Sequence, residues 1–315
     1  MHILEVRDLR VYYKSILGDY KAVDGVSFQV NRNEIFSIAG ESGCGKSSLV
    51  DGILRLVKPP GYIVGGEVIF EGKNILEMPE KELQKIRFVK IAYVPQGAMN
   101  SLNPVLKIKE QVIDAILDHI NLSEDEAVEL AASKLREVGL PEEVMDMYPH
   151  ELSGGMKQRV IIASALALNP QVIVADEPTT ALDVVVQKGI LQLLRDLKEK
   201  YQLTILLVSH DMAVHAQVAD RMSIMYAGKI VEIGPIRDIY KDPLHPYTKA
   251  LLASIPRRGM KNIKGIPGIA PSPLKWPKGC RFHPRCPLAS EKCKKIEPPM
   301  KRINSERYVS CILYE

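Results

Sequence analysis

The stretch GESGCGKSS, residues 40–48, sets glycines and a lysine at the spacing G-x-x-x-x-G-K-[ST]. Gly40, Gly43 and Gly45 let successive backbone N–H groups turn inward around phosphate oxygens. Lys46 is expected to reach the outer phosphates of a nucleotide, and Ser47 to ligate Mg²⁺. Ser42, Cys44 and Ser48 complete the loop; Cys44 is a small filler whose alkylation should block nucleotide entry. A second constellation closes the apolar run QVIVADEP, residues 171–178. Asp176 can hold Mg²⁺ through water, and Glu177, turned differently by the pleat, can polarise an attacking water. His210 ends the next apolar run, LTILLVSH, where a neutral imidazole could donate one hydrogen bond to a terminal phosphate. Gln96, after IAYVP, could contact Mg²⁺ or the water. In LSGGMKQR, residues 152–159, Ser153, Gly154 and Gly155 place a hydroxyl and bare amides at a helix start, a second anion trap. Taken singly, each has a plainer reading as a turn, a cap or a structural histidine; their combination points to nucleotide hydrolysis.

The elements that must hold these residues are legible as patterns. Residues 3–6 and 24–30 alternate like strands around a polar turn near Gly18 and Asp19. EIFSIAG, residues 34–40, is a short buried strand feeding the glycine loop, and GKSSLVDGILRLV opens a helix after it. Residues 61–95 carry short strand-like runs, GGEVIF and KIAYVPQ, around a charged segment. Residues 106–143 place apolar side chains at helical steps. Residues 171–178 and 203–210 read as parallel strands, with VVQKGILQLLRDLKEK as a crossover helix. Residues 221–234 read as a hairpin turning at Ala227-Gly228.

The 315 residues, 46% hydrophobic, suffice for a large core and at most two or three compact units. A net charge of +4, with no long basic block, does not suggest dedicated nucleic-acid binding. The start, MHILEVRDLRVYY, lacks the apolar run of a signal peptide, and no window has the unbroken apolar length of a membrane span. A transport role would therefore need partner subunits. After about residue 250 the chain turns rich in Pro, Gly and Lys, a texture that builds little core of its own.

LSGGMKQR resembles the signature of ATP-binding cassette (ABC) proteins. The resemblance implies an α/β fold: a P-loop nucleotide-binding domain over residues 1–250, with an antiparallel β subdomain, a RecA-like core and a helical subdomain at about 97–160. Residues 251–315 would form a small irregular C-terminal extension. It further implies that Gln96 is the Q-loop residue, Asp183 in ALD the D-loop residue, and His210 the switch histidine. Tyr13 would stack on adenine, with Tyr20 as runner-up. ATP and Mg²⁺ are the implied ligands, and the signature of one subunit would cap the ATP of another in a head-to-tail dimer. GAMNSLNPVLKIKEQV, DPLHPYTKALLASIP (242–256), GIPGIAPSP and GCRFHPRCPLASEKC are similar to the peptide/nickel importer ATPases. That implies an ATPase for dipeptide or oligopeptide import, peripheral on the cytoplasmic face of the cell membrane. Its partners would be a second homologous ATP-binding subunit forming a heterodimer, two permeases and an extracellular solute-binding protein, without nucleic acid. The alternatives are import of oligosaccharides or nickel and other metal chelates, or a soluble cassette ATPase acting on nucleic acid or ribosomes.

Four of the five cysteines cluster as Cys280-x5-Cys286-x6-Cys293-x17-Cys311. A disulfide framework sits poorly in the cytosol that the resemblance implies. Zinc usually takes tighter knuckles, although His283 could replace one cysteine. Four thiolates on a Pro-rich loop suit a [4Fe–4S] cluster, and Cys286-Pro287 matches the C-P of ferredoxins. Such a cluster, also present in some members of the resembled family, is the expectation, with zinc as the alternative and a site without cofactor still open. Its role would be a structural clip, with Lys278, Arg281 and Arg285 either offsetting its charge or forming a solvated basic loop.

Overall fold

A computed structural model of the chain describes residues 2–255 and 265–315. In chain order the strands are β1 (His2–Ser15), β2 (Gly18–Asn31), β3 (Ile35–Ala39), β4 (Gly61–Phe70), β5 (Lys73–Asn74), β6 (Ile91–Val94), β7 (Val172–Asp176), β8 (Thr204–Ser209), β9 (Arg221–Tyr226), β10 (Lys229–Pro235), β11 (Lys301–Arg302) and β12 (Tyr308–Val309). The helices are α1 (Lys46–Ile53), α2 (Glu80–Gln84), α3 (Ile108–Leu117), α4 (Glu124–Glu137), α5 (Gly154–Leu166), α6 (Val184–Tyr201), α7 (Met212–Val218), α8 (Ile236–Lys241), α9 (Pro246–Ala253) and α10 (Glu291–Lys295).

The chain forms two compact units. The first comprises the described residues within 1–31, 36–77 and 209–315. It holds the antiparallel sheet β2-β1-β4-β5 and the strand series β11-β12-β10-β9-β3, parallel only between β3 and β9. The β1–β2 hairpin runs longer than its alternation predicts, because the turn is the apolar pair Ile16-Leu17, both exposed, rather than the polar residues after it. The β9–β10 turn falls where expected. Ala227 and Gly228 both have positive φ, the backbone twist that suits a two-residue hairpin loop. The C-terminal extension adds strands: Val309 pairs with Glu232 and Tyr308 with Ile233 at the β10 edge. Phe282 joins an apolar cluster with Tyr226, Tyr247, Ile224, Ile239 and Leu252, its ring 5.2 Å from Tyr226 and 5.4 Å from Tyr247.

The second unit comprises residues 32–35 and 78–208. Its strands β8-β7-β6 are parallel, and β7 and β8 are buried along their whole length. That explains their unbroken apolar sequences. α6 crosses from β7 to β8 with Ile190, Leu191, Leu193, Leu194 and Leu197 on its buried face. The helical run at 106–143 resolves into α3, α4 and a final 3₁₀ turn. α4 begins at a capping box in which Ser123 and Glu126 satisfy each other's backbone N–H groups.

Candidate functional site

In the first unit, the loop over residues 40–48 joins the buried strand β3 to α1. Gly45 holds φ +109, and a Cβ there would lie 2.1 Å from the Ala22 carbonyl oxygen. Only glycine fits, on both backbone and packing grounds. α1 starts without a side-chain cap and without an acidic residue in its first turn. Its first N–H groups and positive dipole end are therefore left for an anion. Lys46 is buried and its ammonium donates to the Gly40 and Glu41 carbonyls at 2.8 and 3.1 Å, spanning the loop mouth. Ser42, Gly43 and Ser47 are exposed, whereas Cys44 is buried. Burial pushes the Cys44 thiol up despite the nearby Lys46 cation. Tyr13, half-buried, donates to the Ser48 hydroxyl at 3.1 Å and meets Tyr20 edge-on at 6.4 Å between ring centres. The two aromatic candidates thus sit together, and Tyr13 touches the helix that follows the loop. His210 is exposed just beyond β8.

In the second unit, Asp176 is buried at the end of β7. Glu177 follows in a left-handed conformation, φ +50, with its N–H on the Val208 carbonyl at 2.8 Å. The Thr180 hydroxyl donates to the Glu177 carboxylate at 2.7 Å. Gln96 is exposed after β6. Ser153 caps α5, accepting from the Met156 N–H at 3.3 Å. Gly155 faces Val186, whose methyl lies 2.6 Å from where a Cβ would be. Asp183 caps α6 by accepting from the Val185 and Val186 N–H groups at 2.9 and 3.0 Å. The Ser47 hydroxyl in the first unit, and the Gln96 amide oxygen and Asp176 carboxylate in the second, are each hard oxygen donors of the kind Mg²⁺ takes.

The cysteine expectation is overturned. Cys280, Cys286, Cys293 and Cys311 line one cavity as free thiols. Yet no group of three or more His, Cys, Asp or Glu side chains among the described residues is placed to hold a metal ion, so neither the [4Fe–4S] cluster nor zinc stands. The chemistry agrees. Burial pushes the Cys280 thiol up to about 11, and the Cys286 and Cys311 thiols upward as well, away from the thiolate that metals need. The Ser290 N–H, 3.4 Å away, points at the Cys293 sulfur, and His283 Nδ1 is 2.9 Å from the Cys280 carbonyl. The clip is made otherwise. Arg281 and Arg285 are buried, not a solvated loop, and are ion-paired with Asp24 and Glu41. Arg281 also lies over the Trp276 ring at 4.9 Å and donates to the Ala227 carbonyl at 2.5 Å.

Sequence reasoning missed Glu41, Tyr247 and Arg285 as neighbours of the phosphate loop. Glu41 lies inside the motif, but nothing local marks partners more than two hundred positions away.

Comparison with known proteins agrees with this geometry. Residues 23–180 match the model of the ABC transporter family, and residues 231–293 match that of the oligopeptide/dipeptide transporter C-terminal region. The chain belongs to the ABC transporter family, in the branch of ATP-binding subunits that carry this C-terminal region. It is homologous to the dipeptide transport ATP-binding protein DppD of Caldanaerobacter subterraneus subsp. tengcongensis, 47% identical over 99% of this chain and 97% of that protein. The oligopeptide transport ATP-binding protein OppD of Bacillus subtilis is 43% identical over 98% of this chain and 87% of that protein. Among solved structures, a dimeric ATP-binding cassette in a post-hydrolysis state, bound to ADP and Pi, aligns with a TM-score of 0.66 at 33% identity. It covers 74% of this chain and 99% of that one. Like its family, the chain is an ATP-hydrolysing subunit. No described helix is long and apolar enough to cross a membrane.

Proposed function

We propose that the chain powers import of dipeptides or oligopeptides through a membrane ABC transporter, working at the cytoplasmic face of the membrane. The observation that carries the reading is the near full-length similarity to dipeptide and oligopeptide transport ATP-binding proteins, joined to an uncapped, acid-free α1 behind the glycine loop. In this reading the loop amides, Lys46 and Ser47 hold the polyphosphate, and Tyr13 stacks on adenine. Ser47, Gln96 and Asp176 hold Mg²⁺, which supplies charge neutralisation on the phosphates. Glu177 accepts a proton from the attacking water, with its carboxylate oriented by Thr180. His210 donates to the terminal phosphate. Ser153, Gly154 and Gly155 of one subunit cap the nucleotide of a second, and Asp183 lines that dimer face. Closure of the dimer moves the helical subdomain, residues 97–160, and with it the permeases docked near Gln96; hydrolysis releases the closed state. Residues 1–250 then form the motor and 251–315 its extension. The partners are a second homologous ATPase subunit, two permeases and an extracellular binding protein.

The test is Glu177→Gln in the assembled transporter. The variant should bind ATP as the parent does, stabilise the closed dimer and lose nearly all turnover and peptide uptake. Turnover within a few fold of the parent would reject the role given to Glu177, and ATP-dependent uptake of a sugar or metal chelate in place of peptides would reject the cargo.

A further inference from the structure

The second residue of the glycine loop is held from outside the loop. The Glu41 carboxylate receives Arg285 in a two-pronged pair, 2.8 Å to Nη1 and 3.1 Å to Nη2. The guanidinium is almost fully buried, and its three remaining donors are used: Nε gives to the Pro267 carbonyl at 2.9 Å, Nη1 points at the Tyr226 hydroxyl at 3.4 Å and Nη2 at the Ile266 carbonyl at 3.4 Å. The Glu41 main-chain N–H donates to the hydroxyl of Tyr247, in α9, at 3.0 Å. The Glu41 carbonyl accepts from the Lys46 ammonium. One loop residue is therefore tied at its N–H and its carboxylate to the C-terminal part of the chain, and at its carbonyl to the lysine expected to meet phosphate.

We propose that Arg285 is a positioning residue for ATP binding: through Glu41 it fixes the start of the phosphate loop, so that the C-terminal extension sets nucleotide affinity. The inference rests on the nucleotide reading of that loop. Three physical points support it. A planar guanidinium paired through two nitrogens fixes direction as well as distance, which a lysine at the same place would not. The extension has few core residues, so burying an arginine at its centre against a loop carboxylate is not needed to fill space. Finally, Glu41 is the acidic residue of a loop built to take a polyanion, and a released carboxylate there would repel phosphate and offer Lys46 a competing partner.

The experiment measures ATP affinity and the steady-state kcat and KM of the full chain carrying Arg285→Met, Arg285→Lys, Glu41→Gln, or Glu41→Gln with Arg285→Met. Arg285→Met should raise Kd and KM for ATP about tenfold, equivalent to about 1.4 kcal/mol, with kcat within about twofold. Arg285→Lys should fall between variant and parent. The double variant should bind no more weakly than Arg285→Met, because both changes remove the same link and glutamine leaves no freed carboxylate beside the phosphates. A purely structural arginine would instead lower thermal stability while leaving Kd unmoved at temperatures where the variant is folded, and that result overturns the proposal, as do additive effects. Should Arg285→Met fail to fold, the charge-free double variant decides: a Kd weakened more than about twofold supports the proposal, and a Kd within twofold of the parent overturns it. Lys46→Ala separates the two levels. If it leaves ATP affinity unchanged, the nucleotide reading itself fails. If it abolishes binding while the Arg285 variants bind normally, only the present inference fails.

Discussion

Replacing Arg307 with methionine should destabilise the first unit by about 3 kcal/mol. Glu232 is completely buried on β10. Its carboxylate accepts from the Leu244 and His245 N–H groups at 2.9 and 3.0 Å, and from Arg307 Nη2 at 3.0 Å. Arg307 also donates to the Asp242 carbonyl at 2.6 Å. Its 3.8 Å contact with the exposed Asp242 carboxylate adds little, being screened by water. Removing one partner of a buried pair costs about 3–5 kcal/mol, because the other charge stays buried. Two backbone N–H groups still solvate Glu232, which places the expected loss at the low end of that range. Removing both charges, Glu232→Gln with Arg307→Met, should cost less than the single change, about 1–2 kcal/mol. The assay is urea unfolding at pH 7, followed by far-UV circular dichroism and by the fluorescence of Trp276, the one tryptophan of the chain. Trp276 donates to the Lys21 carbonyl at 3.2 Å, so its emission reports whether the extension is seated. A loss below about 1 kcal/mol, or a double variant as unstable as the sum of the singles, would refute the argument.

Two further outcomes follow from buried titratable groups. Burial holds His215 down to about 4, against the raising influence of the Ser209 carbonyl, and His245 down to about 3. Unfolded histidine protonates near pH 6.5, so the stability these neutral rings contribute is present above that pH. It is lost as pH falls toward 4 and 3, by at most about 1.4 kcal/mol per histidine per pH unit. Urea midpoints measured from pH 7 to pH 5 should fall steeply, and His215→Gln should flatten the slope; an unchanged slope counts against the assignment. Cys280, raised to about 11 chiefly by desolvation, carries the opposite sign: its contribution holds at neutral pH and is lost as pH rises from about 9 toward 11. Iodoacetamide at pH 8 should label it about a hundredfold more slowly in the folded chain than in urea, since only about one thiol in a thousand is ionised. Equal rates would show that the thiol is neither buried nor raised.

What could be read from the sequence was local. The glycine loop, the strand ending in Asp176 and Glu177, and the helix start at Ser153 each occupy fewer than ten consecutive residues, and each carries its own backbone logic. Their supports are not local: Arg285 meets Glu41 across 244 positions and Arg281 meets Asp24 across 257. No periodicity records such a pair. The hairpin turn was misplaced because Ile16 and Leu17 are apolar yet exposed, against the rule that marks turns by polarity. The cysteines misled for a related reason. Spacing counts potential ligands but says nothing of burial, and burial here favours the protonated thiol.

The extension instead uses arginines. Arg281, Arg285 and Arg307 are each buried and each paired with a buried or half-buried carboxylate, Asp24, Glu41 and Glu232 respectively. Such pairs add little net stability, because desolvating two ions offsets most of their attraction. They do discriminate between positions. A segment poor in apolar side chains could slide over a greasy surface at small cost, but a buried guanidinium displaced from its carboxylate leaves two unpaired charges. Phe282, lodged against Tyr226 and Tyr247 between the first two arginines in sequence, supplies the apolar contact that the pairs lack. Of the three carboxylates, Glu41 belongs to the phosphate loop, and Asp24 lies on the hairpin strand whose Ala22 carbonyl packs against Gly45. Burial alone would raise the Asp24 carboxyl, but Tyr12 and Arg281 together hold it below the usual range. Two of the three anchors therefore end in or beside the glycine loop, which, on the proposed nucleotide reading of that loop, is the physical reason to expect nucleotide affinity, and not stability alone, to register their loss.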